Sequence, residues 1–193
     1  MKEISKYMNR VEPIKNINNI YMLKNYLLKS GNIRNYTLVV IGLNSVLKIS
    51  QIIKLKWSDV YNFSSEEFKN IIYENKNRKI NINTGIKEAL QKFFDSNPEI
   101  QPEDYIFKSR EGQNKPITRY TAIKLIKKAC SQIGIKENIG CDSLRKTYGY
   151  QSYIHGTPIP ILMAEYNHTT QKETIEYLGI EENLNIQYNK FVV

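Results

Sequence analysis

Apolar residues recur at the spacing of α-helices over most of the chain. They come every three or four positions from Ile17 to Leu27, and Gly31 supplies a stop, which predicts a first helix over 17–30. A second helix is predicted from Tyr36. Because the residues that follow are apolar nearly all round, we expect this helix in the middle of the core.

The spacing changes from helical to alternating in the region between Trp57 and Ile82. A short helix, Ser50 to Leu55, is predicted before it, and the alternation from Lys79 to Ile82 is typical of a strand. The polar residues Glu74 to Arg78 have the composition of a turn that joins two strands. We therefore expect a small antiparallel sheet among the helices.

Capping residues and prolines mark the remaining helices. In order, these are a helix capped by Thr84 and ending near Phe94, one that starts near Pro116, one capped by Asp142 and running to about His155, one from Pro158 to Tyr166, and one opened by a capping box of Thr170 and Glu173. The predicted fold class is α+β, mostly helical with a small antiparallel β-sheet. We expect an N-terminal arm over 1–12, one domain over 13–179, and a helical tail over 180–193 that docks on its own domain or on a neighbouring molecule.

The chain is strongly basic. It has 28 Lys and Arg residues against 19 Asp and Glu residues, a formal net charge of +9 and a pI of about 9.4. A polyanion such as nucleic acid is the partner that this charge favours. The alternative is compositional, since 22 of the 28 cations are lysines and an AT-rich genome raises Lys, Asn and Ile together. Charge alone leaves both explanations open.

Membrane, secreted and metal-binding classes find little support in the sequence. The longest apolar stretch, Thr37 to Leu43, is far shorter than the roughly 20 residues that a bilayer span requires. Cys130 and Cys141 give no disulfide framework, and with only two histidines they lack the number and spacing of zinc ligands. We expect a soluble cytoplasmic protein with reduced thiols and no metal.

Four short motifs occur in a characteristic order. They are Leu47 to Gln51 with Leu55 to Val60, Asp142 to Thr147, Tyr166 to His168, and Thr174 to Tyr177. In this order they resemble the boxes of the tyrosine recombinases, the phage integrase family, which read L-R-I-S-E/D with L-x-W-x-D-V, H-x-L-R-x-T, L-G-H and T-x-x-Y. The resemblance covers about Val11 to Ile180 and implies the helical catalytic domain of that family.

The resemblance also implies a DNA transesterification that needs no metal, ATP or other cofactor. Tyr177 would attack a DNA phosphodiester, leaving a 3′-phosphotyrosyl enzyme and a free 5′-hydroxyl. Negative charge develops on the phosphoryl oxygens in such a step, and the planar fork of Arg145 suits a clamp on them. His168 would donate a hydrogen bond. Lys76, in the turn between the two strands, would be the general acid, with Lys79 as the alternative.

Three positions depart from the family pattern. Lys48 stands where the first arginine belongs, Gln51 where an acidic residue belongs, and Asp142 where a histidine or lysine belongs. Lysine keeps the charge but loses the bidentate fork, and a carboxylate at Asp142 repels a phosphate unless it turns away to cap its helix. Two alternatives stay open: an integrase or site-specific recombinase with impaired chemistry, or an inactive accessory or regulatory DNA-binding protein of the same fold.

The helix after Pro116 has one basic side, which the resemblance places against double-stranded DNA. Arg119, Tyr120, Lys124 and, in the second motif, Lys146 are the expected DNA-binding residues. A merely solvated face is the alternative. Because family members work as synapsed assemblies, the resemblance also implies a homo-oligomer on DNA.

Overall fold

The computed structural model describes residues 10–75 and 78–181. Its helices are α1 (Ile17–Lys29), α2 (Ile33–Leu43), α3 (Ile49–Ile52), α4 (Trp57–Val60), α5 (Thr84–Asp95), α6 (Arg119–Gln132), α7 (Ser143–Ile154), α8 (Ile159–Tyr166) and α9 (Gln171–Leu178). Its strands are β1 (Tyr61–Asn62), β2 (Glu67–Phe68), β3 (Ile71–Asn75) and β4 (Arg78–Asn81). The predicted mainly helical α+β fold is confirmed.

Helix α2 lies at the centre of the fold, as its apolar sequence predicts. Every residue from Tyr36 to Leu43 is buried, and the helix packs against α1, α5 and α7. Gly42 allows α7 to come close, because a Cβ atom at that position would lie 2.7 Å from Leu144 Cδ1. This contact fixes the start of α7, where the second sequence motif lies.

The predicted antiparallel strands are arranged as two separate hairpins. β1 pairs with β2, and β3 pairs with β4 with a register irregularity between Ile71 and Tyr73. Trp57 begins the short helix α4 rather than a strand, because Asp59 Oδ2 accepts a hydrogen bond from the backbone N–H of Lys56 at 2.7 Å and so caps the first turn.

Several helices begin at other residues than the sequence predicts. α2 begins at Ile33, ahead of the predicted Tyr36. Asn83, and not Thr84, caps α5, since Asn83 Oδ1 accepts from the N–H of Ile86 at 2.9 Å. α6 begins at Arg119, later than the predicted start near Pro116. Asn and Thr are both good caps, so sequence alone does not choose between adjacent candidates.

The two ends of the described chain pack beside each other. Ile14 is fully buried, and its N–H donates to Thr147 Oγ1 at 2.8 Å. Ile180 is only 8 % exposed, and Lys15 Nζ lies 2.9 Å from Glu181 Oε1. The N–H of Glu12 also donates to Asn138 O at 3.0 Å, so residues on the arm side and on the tail side of the predicted boundaries contact the domain. The predicted arm and tail lie outside the described residues except for 10–12 and 180–181.

No helix in the described part of the chain combines the length and the apolar character needed to cross a membrane. Among the same residues, no group of three or more His, Cys, Asp or Glu side chains is placed to hold a metal ion. Cys130 and Cys141 are free, and burial raises the pKa of the Cys130 thiol to about 12, so this thiol is protonated at neutral pH.

Candidate active site

Three of the sequence motifs meet where α7, α8 and α9 pack together. Arg145 lies in the first turn of α7, His168 follows the end of α8, and Tyr177 lies in the last turn of α9. Helix α9 contacts both α7 and α8. Side chains that are distant in sequence are thereby brought into one cluster.

A left-handed residue turns the chain between α8 and His168. Asn167 ends α8 with φ +57° and ψ +43°, a conformation that asparagine adopts more readily than most residues. The N–H of His168 then donates to the carbonyl of Met163 at 3.0 Å. The histidine is therefore fixed by the end of α8 rather than carried on a free loop.

The start of α9 is capped by Thr170 and Glu173. Thr170 Oγ1 accepts from the N–H of Glu173 at 3.1 Å, as predicted. Glu173 Oε2 accepts from the N–H of Thr169 at 2.9 Å, and the N–H of Thr170 also acts on this carboxylate. The Glu173 carboxylate thus gives the N–H before the cap a hydrogen-bond partner, and these hydrogen bonds lower the pKa of Glu173.

The Arg145 guanidinium is the centre of the cluster. It is 6 % exposed, and its Nη1 donates to Tyr177 Oη at 2.8 Å. Its Nε donates to the carbonyl of Val46 at 2.7 Å, so the residue that directly precedes the first motif supports it from a third side. The guanidinium carbon lies 4.2 Å from the ring centroid of Tyr166. The orientation of Arg145 is therefore set by contacts with the rest of the fold.

Tyr166 supports Arg145 a second time through its hydroxyl. Tyr166 Oη donates to the backbone carbonyl of Arg145 at 2.6 Å, and its ring is buried, which raises the pKa of the phenol well above its ordinary value. No role was predicted for Tyr166 from the sequence. The available signal was a tyrosine where the L-G-H box has leucine, because a buried tyrosine needs a hydrogen-bond partner.

His168 is held through its Nδ1 atom. This atom lies 3.0 Å from Oγ1 of Thr174, which is fully buried. The Thr174 hydroxyl has one proton, and both Nδ1 and the carbonyl of Thr170, at 3.3 Å, lie within reach of it. When it donates to Nδ1, the neutral ring carries its proton on Nε2, the nitrogen that remains to donate to a ligand. When it donates to Thr170 instead, Nδ1 carries the proton of the neutral ring. Burial lowers the pKa of His168, which favours the neutral form at pH 7.

Tyr177 is a phenol in contrasting electrostatic surroundings. Burial raises its pKa, while the charge of Arg145 and the hydrogen bond from Arg145 lower it. The ring of His168 lies 5.1 Å from that of Tyr177, centroid to centroid, in an edge-on arrangement. Tyr177 thus keeps its proton at neutral pH, with a cation bonded to the oxygen that loses it.

The sequence pattern of the group described as the phage integrase family matches residues 12–183. The chain belongs to the phage integrase family. A protein of Bacillus subtilis (strain 168) described as "Probable integrase/recombinase YoeC" is 35 % identical over 176 residues, which cover 91 % of this chain and 93 % of that protein. The family resemblance predicted from the four motifs is therefore confirmed.

Solved structures of integrases and recombinases share the fold. The crystal structure of XerA recombinase superposes with a TM-score of 0.71 at 18 % identity over 90 % of this chain. The Tn1549 transposon integrase in complex with circular intermediate DNA superposes with a TM-score of 0.63 at 17 % identity over 86 % of this chain. The chain spans 60 % of the length of each of these structures.

Asp142, which departs from the integrase pattern, does not cap α7 with its side chain. It occupies the N-cap position in a helical conformation, φ −103° and ψ 0°, and makes no side-chain capping hydrogen bond. The predicted capping role is wrong, because a side chain caps well from an extended backbone and not from a helical one. Its charge instead acts on the site, where it raises the pKa of Tyr177.

Lys48 and Gln51 are joined through the backbone rather than through the lysine side chain. Gln51 Oε1 accepts from the N–H of Lys48 at 3.0 Å at the start of α3. The side chain of Lys48 is exposed, and the contact from this part of the chain to Arg145 comes from the carbonyl of Val46, directly before the motif. The amide of Gln51 thus fixes the turn that carries Lys48.

One of the two candidate general acids lies among the residues that the structure describes. Lys76 lies outside the described residues. Lys79 lies in β4, opposite Glu74 of β3, with an exposed side chain. The assignment of the general acid to Lys76 or Lys79 stays a prediction.

The predicted DNA-binding residues occupy two different surroundings. Arg119, Tyr120 and Lys124 are all exposed on the first half of α6, and Tyr120 is 74 % exposed. Lys146 is 4 % exposed, and its Nζ donates to the carbonyl of Val11 at 2.8 Å. Lys146 lies inside the active-site cluster, whereas the other three lie on open surface.

Proposed function

We propose that this member of the phage integrase family cleaves and rejoins DNA strands through a 3′-phosphotyrosyl intermediate. The observation that carries the proposal is the 2.8 Å hydrogen bond from Arg145 Nη1 to Tyr177 Oη, with the His168 ring beside it. Phosphoryl transfer is catalysed mainly by donors and cations fixed around one phosphate. The cluster has the residue types and the closeness that this chemistry requires.

In the proposed reaction, Tyr177 Oη attacks the phosphorus atom and its proton passes to solvent water. A Tyr–O–P bond forms, the bond from phosphorus to the 5′-oxygen breaks, and the 5′-oxygen takes a proton from a general acid. Arg145 binds the phosphoryl oxygens next to the nucleophile, and His168 donates from Nε2. Attack by a 5′-hydroxyl reverses these steps and releases Tyr177, so the phosphodiester energy is conserved and no cofactor is needed.

The surrounding roles follow from position and charge. Lys48 supplies a second cation, Lys76 or Lys79 protonates the 5′-oxygen, and the exposed face of α6 contacts the DNA backbone. Double-stranded DNA is the proposed partner, bound by a homo-oligomer. The DNA complex of the Tn1549 transposon integrase supports this partner by likeness of fold.

A second candidate function is that of an accessory DNA-binding protein without cleavage activity. The charge of Asp142 favours it, because a carboxylate that raises the pKa of Tyr177 also opposes the negative charge that develops during attack. The same fold and the same basic face of α6 then serve binding alone.

Trapping on nicked duplexes tests the proposal. Suicide substrates release a short product after cleavage, so a covalent protein–DNA adduct accumulates and survives denaturing electrophoresis. A pool with randomised sequence removes the need to know the target site. We expect an adduct with the parent protein and none with Tyr177→Phe, which keeps the ring and removes the nucleophile. Arg145→Lys should form it about 10²–10³ times more slowly.

The double variant Lys48→Arg with Asp142→His separates the two functions if the parent forms no adduct. It restores the family residues at two departures and leaves Arg145 and Tyr177 unchanged. A gain of adduct identifies an impaired recombinase. No adduct, together with DNA binding equal to that of the parent, identifies the accessory protein.

A further inference from the structure

A second cation faces the ring of Tyr177. Lys146 Nζ lies 4.8 Å from the ring centroid, and the guanidinium carbon of Arg145 lies 5.2 Å from it. Both distances are within the range of a cation–π contact. The nucleophile is therefore in contact with two cations that are adjacent in sequence.

The N-terminal segment of the described chain holds Lys146 in this position. The carbonyl of Val11 accepts the hydrogen bond from Lys146 Nζ. That segment is itself fixed on both sides of Val11, since Asn138 Nδ2 donates to the carbonyl of Arg10 at 3.2 Å and the N–H of Glu12 donates to Asn138 O at 3.0 Å. A lysine side chain ordinarily loses much rotational freedom when it is ordered, and here one hydrogen bond to a backbone that is already fixed orders it.

We propose that Lys146 is a positioning residue for the nucleophile: its ammonium, fixed by the Val11 carbonyl, holds the Tyr177 ring against Arg145 and stabilises the negative charge that grows on the tyrosine during attack. This inference rests on the proposed function. It gives Lys146 a role different from surface contact with DNA, for which its burial leaves little room.

Asp142 gains a role on the same basis. Its carboxylate is one of the charges that favour the charged form of Lys146, so it supports the ammonium that faces Tyr177. The cost of a carboxylate near the phosphate is then offset by a cation held against the ring of the nucleophile. Asp142, which departs from the family pattern, therefore supports the positive charge of Lys146.

The charge of Lys146 changes within an accessible pH range. Burial lowers its pKa to about 8, and the charge of Arg10 acts in the same direction, while Asp142 and Glu12 raise it. Tyr177 contacts Lys146 through its ring, and Arg145 lies beside the same ring. Lys146 is therefore mostly cationic at pH 7 and mostly neutral at pH 9, and its effect on Tyr177 should follow that change.

The test compares Lys146→Met with the parent in the adduct assay at pH 7 and pH 9. Methionine has a similar length and no charge. Lys172→Met is the matched control, because Lys172 lies on the same helix as Tyr177 with its side chain 84 % exposed. We expect Lys146→Met to form adduct at least about tenfold more slowly than the parent at pH 7, with the ratio approaching one at pH 9. The control should match the parent at both pH values.

Two results would overturn the inference in this assay. One is an equal rate for Lys146→Met and the parent at pH 7. The other is a slowing by the same factor at both pH values, which a purely structural role would give. Lys146→Arg covers the case in which methionine disturbs the fold, because it keeps both the charge and a donor for Val11. It should exceed Lys146→Met at pH 7 and at pH 9, and equality with it would also contradict the proposal.

A measurement without catalysis separates this inference from the proposed function. In protein labelled with ¹³C at tyrosine Cζ, the Tyr177 signal is identified by its loss in Tyr177→Phe. We expect this signal to shift with a midpoint near pH 8 in the parent and to lack that step in Lys146→Met. A parent that forms no adduct but shows the step contradicts the proposed activity alone. A parent without the step contradicts the role of Lys146, whatever the adduct assay gives.

Discussion

Gly149 is the position where the packing of the three active-site helices can be tested most directly. It lies in α7, and a Cβ atom there would be 2.5 Å from Tyr166 Oη and 2.5 Å from Leu178 Cδ2. Both side chains are buried, and the Tyr166 hydroxyl is bonded to the Arg145 carbonyl, so neither can move freely. Gly149→Ala should therefore force α8 and α9 away from α7.

The expected loss of stability follows from two opposing effects. Overpacking of this kind costs about 1–3 kcal/mol, while alanine is favoured over glycine in a helix by up to about 1 kcal/mol. The free energy of unfolding should fall by about 1–2 kcal/mol. Gly85→Ala in α5 is the matched control, because its Cβ would meet no atom closer than 3.6 Å, and it should gain about 0.5 kcal/mol.

Urea denaturation measures both variants. With a slope of about 2 kcal/mol per molar, the midpoint of Gly149→Ala should fall by about 0.5–1 M, and that of Gly85→Ala should rise slightly. Adduct formation by Gly149→Ala should also decrease under native conditions, because the displaced Tyr166 no longer supports Arg145. A Gly149→Ala protein as stable as the parent, with full adduct formation, would refute the close packing described here.

Three further predictions concern the DNA surface, the histidine and the end of the chain. Arg119→Ala and Lys124→Ala should each weaken DNA binding and lower the log–log salt slope by about 1 in gel-shift titrations, and unchanged slopes in both would remove α6 from the interface. Because burial lowers the pKa of His168, the unfolded chain binds a proton at this residue more readily than the folded chain does. The contribution of His168 to the free energy of unfolding is therefore complete above its ordinary pKa of 6.5 and falls as the pH decreases. His168→Gln should flatten this pH dependence in urea midpoints at pH 7.5 and 5.5, and an identical dependence in both proteins would contradict the prediction. Ile180→Ala should lower the free energy of unfolding by about 2–3 kcal/mol because the side chain is buried. Glu181→Ala should lower it by under about 1 kcal/mol because its ion pair is exposed. Similar losses of stability from both variants in thermal melts would contradict the packing of Ile180.

The sequence predicted the parts of the site that depend on local spacing. Arg145 and Tyr177 each lie near one end of a short helix, and each of these positions is encoded by a motif only a few residues long. The helices themselves were predictable because apolar periodicity and capping residues are local signals. The central position of α2 followed in the same way, since a segment that is apolar all round has no face for solvent.

Residues whose surroundings come from distant parts of the chain were not predictable. In the sequence, Lys146 is one more cation in a basic motif. Only its hydrogen bond to Val11 and its contact with the ring of Tyr177, both from distant parts of the chain, show that it is buried in the site. Tyr166 gives no local sign that its hydroxyl bonds the carbonyl of Arg145. Asp142 precedes a helix as caps do, but the backbone angles that decide whether it caps are set by the packing of α7.

The hydrogen bond between Arg145 and Tyr177 joins two residues of the same chain, and His168 of that chain lies beside them. Under the proposed function, each molecule therefore cleaves with its own arginine and its own tyrosine. An inactive chain that lacks one of them cannot be complemented by an inactive chain that lacks the other. In a mixed population, the number of cleavage events should rise in direct proportion to the fraction of intact chains, and not with a higher power of it.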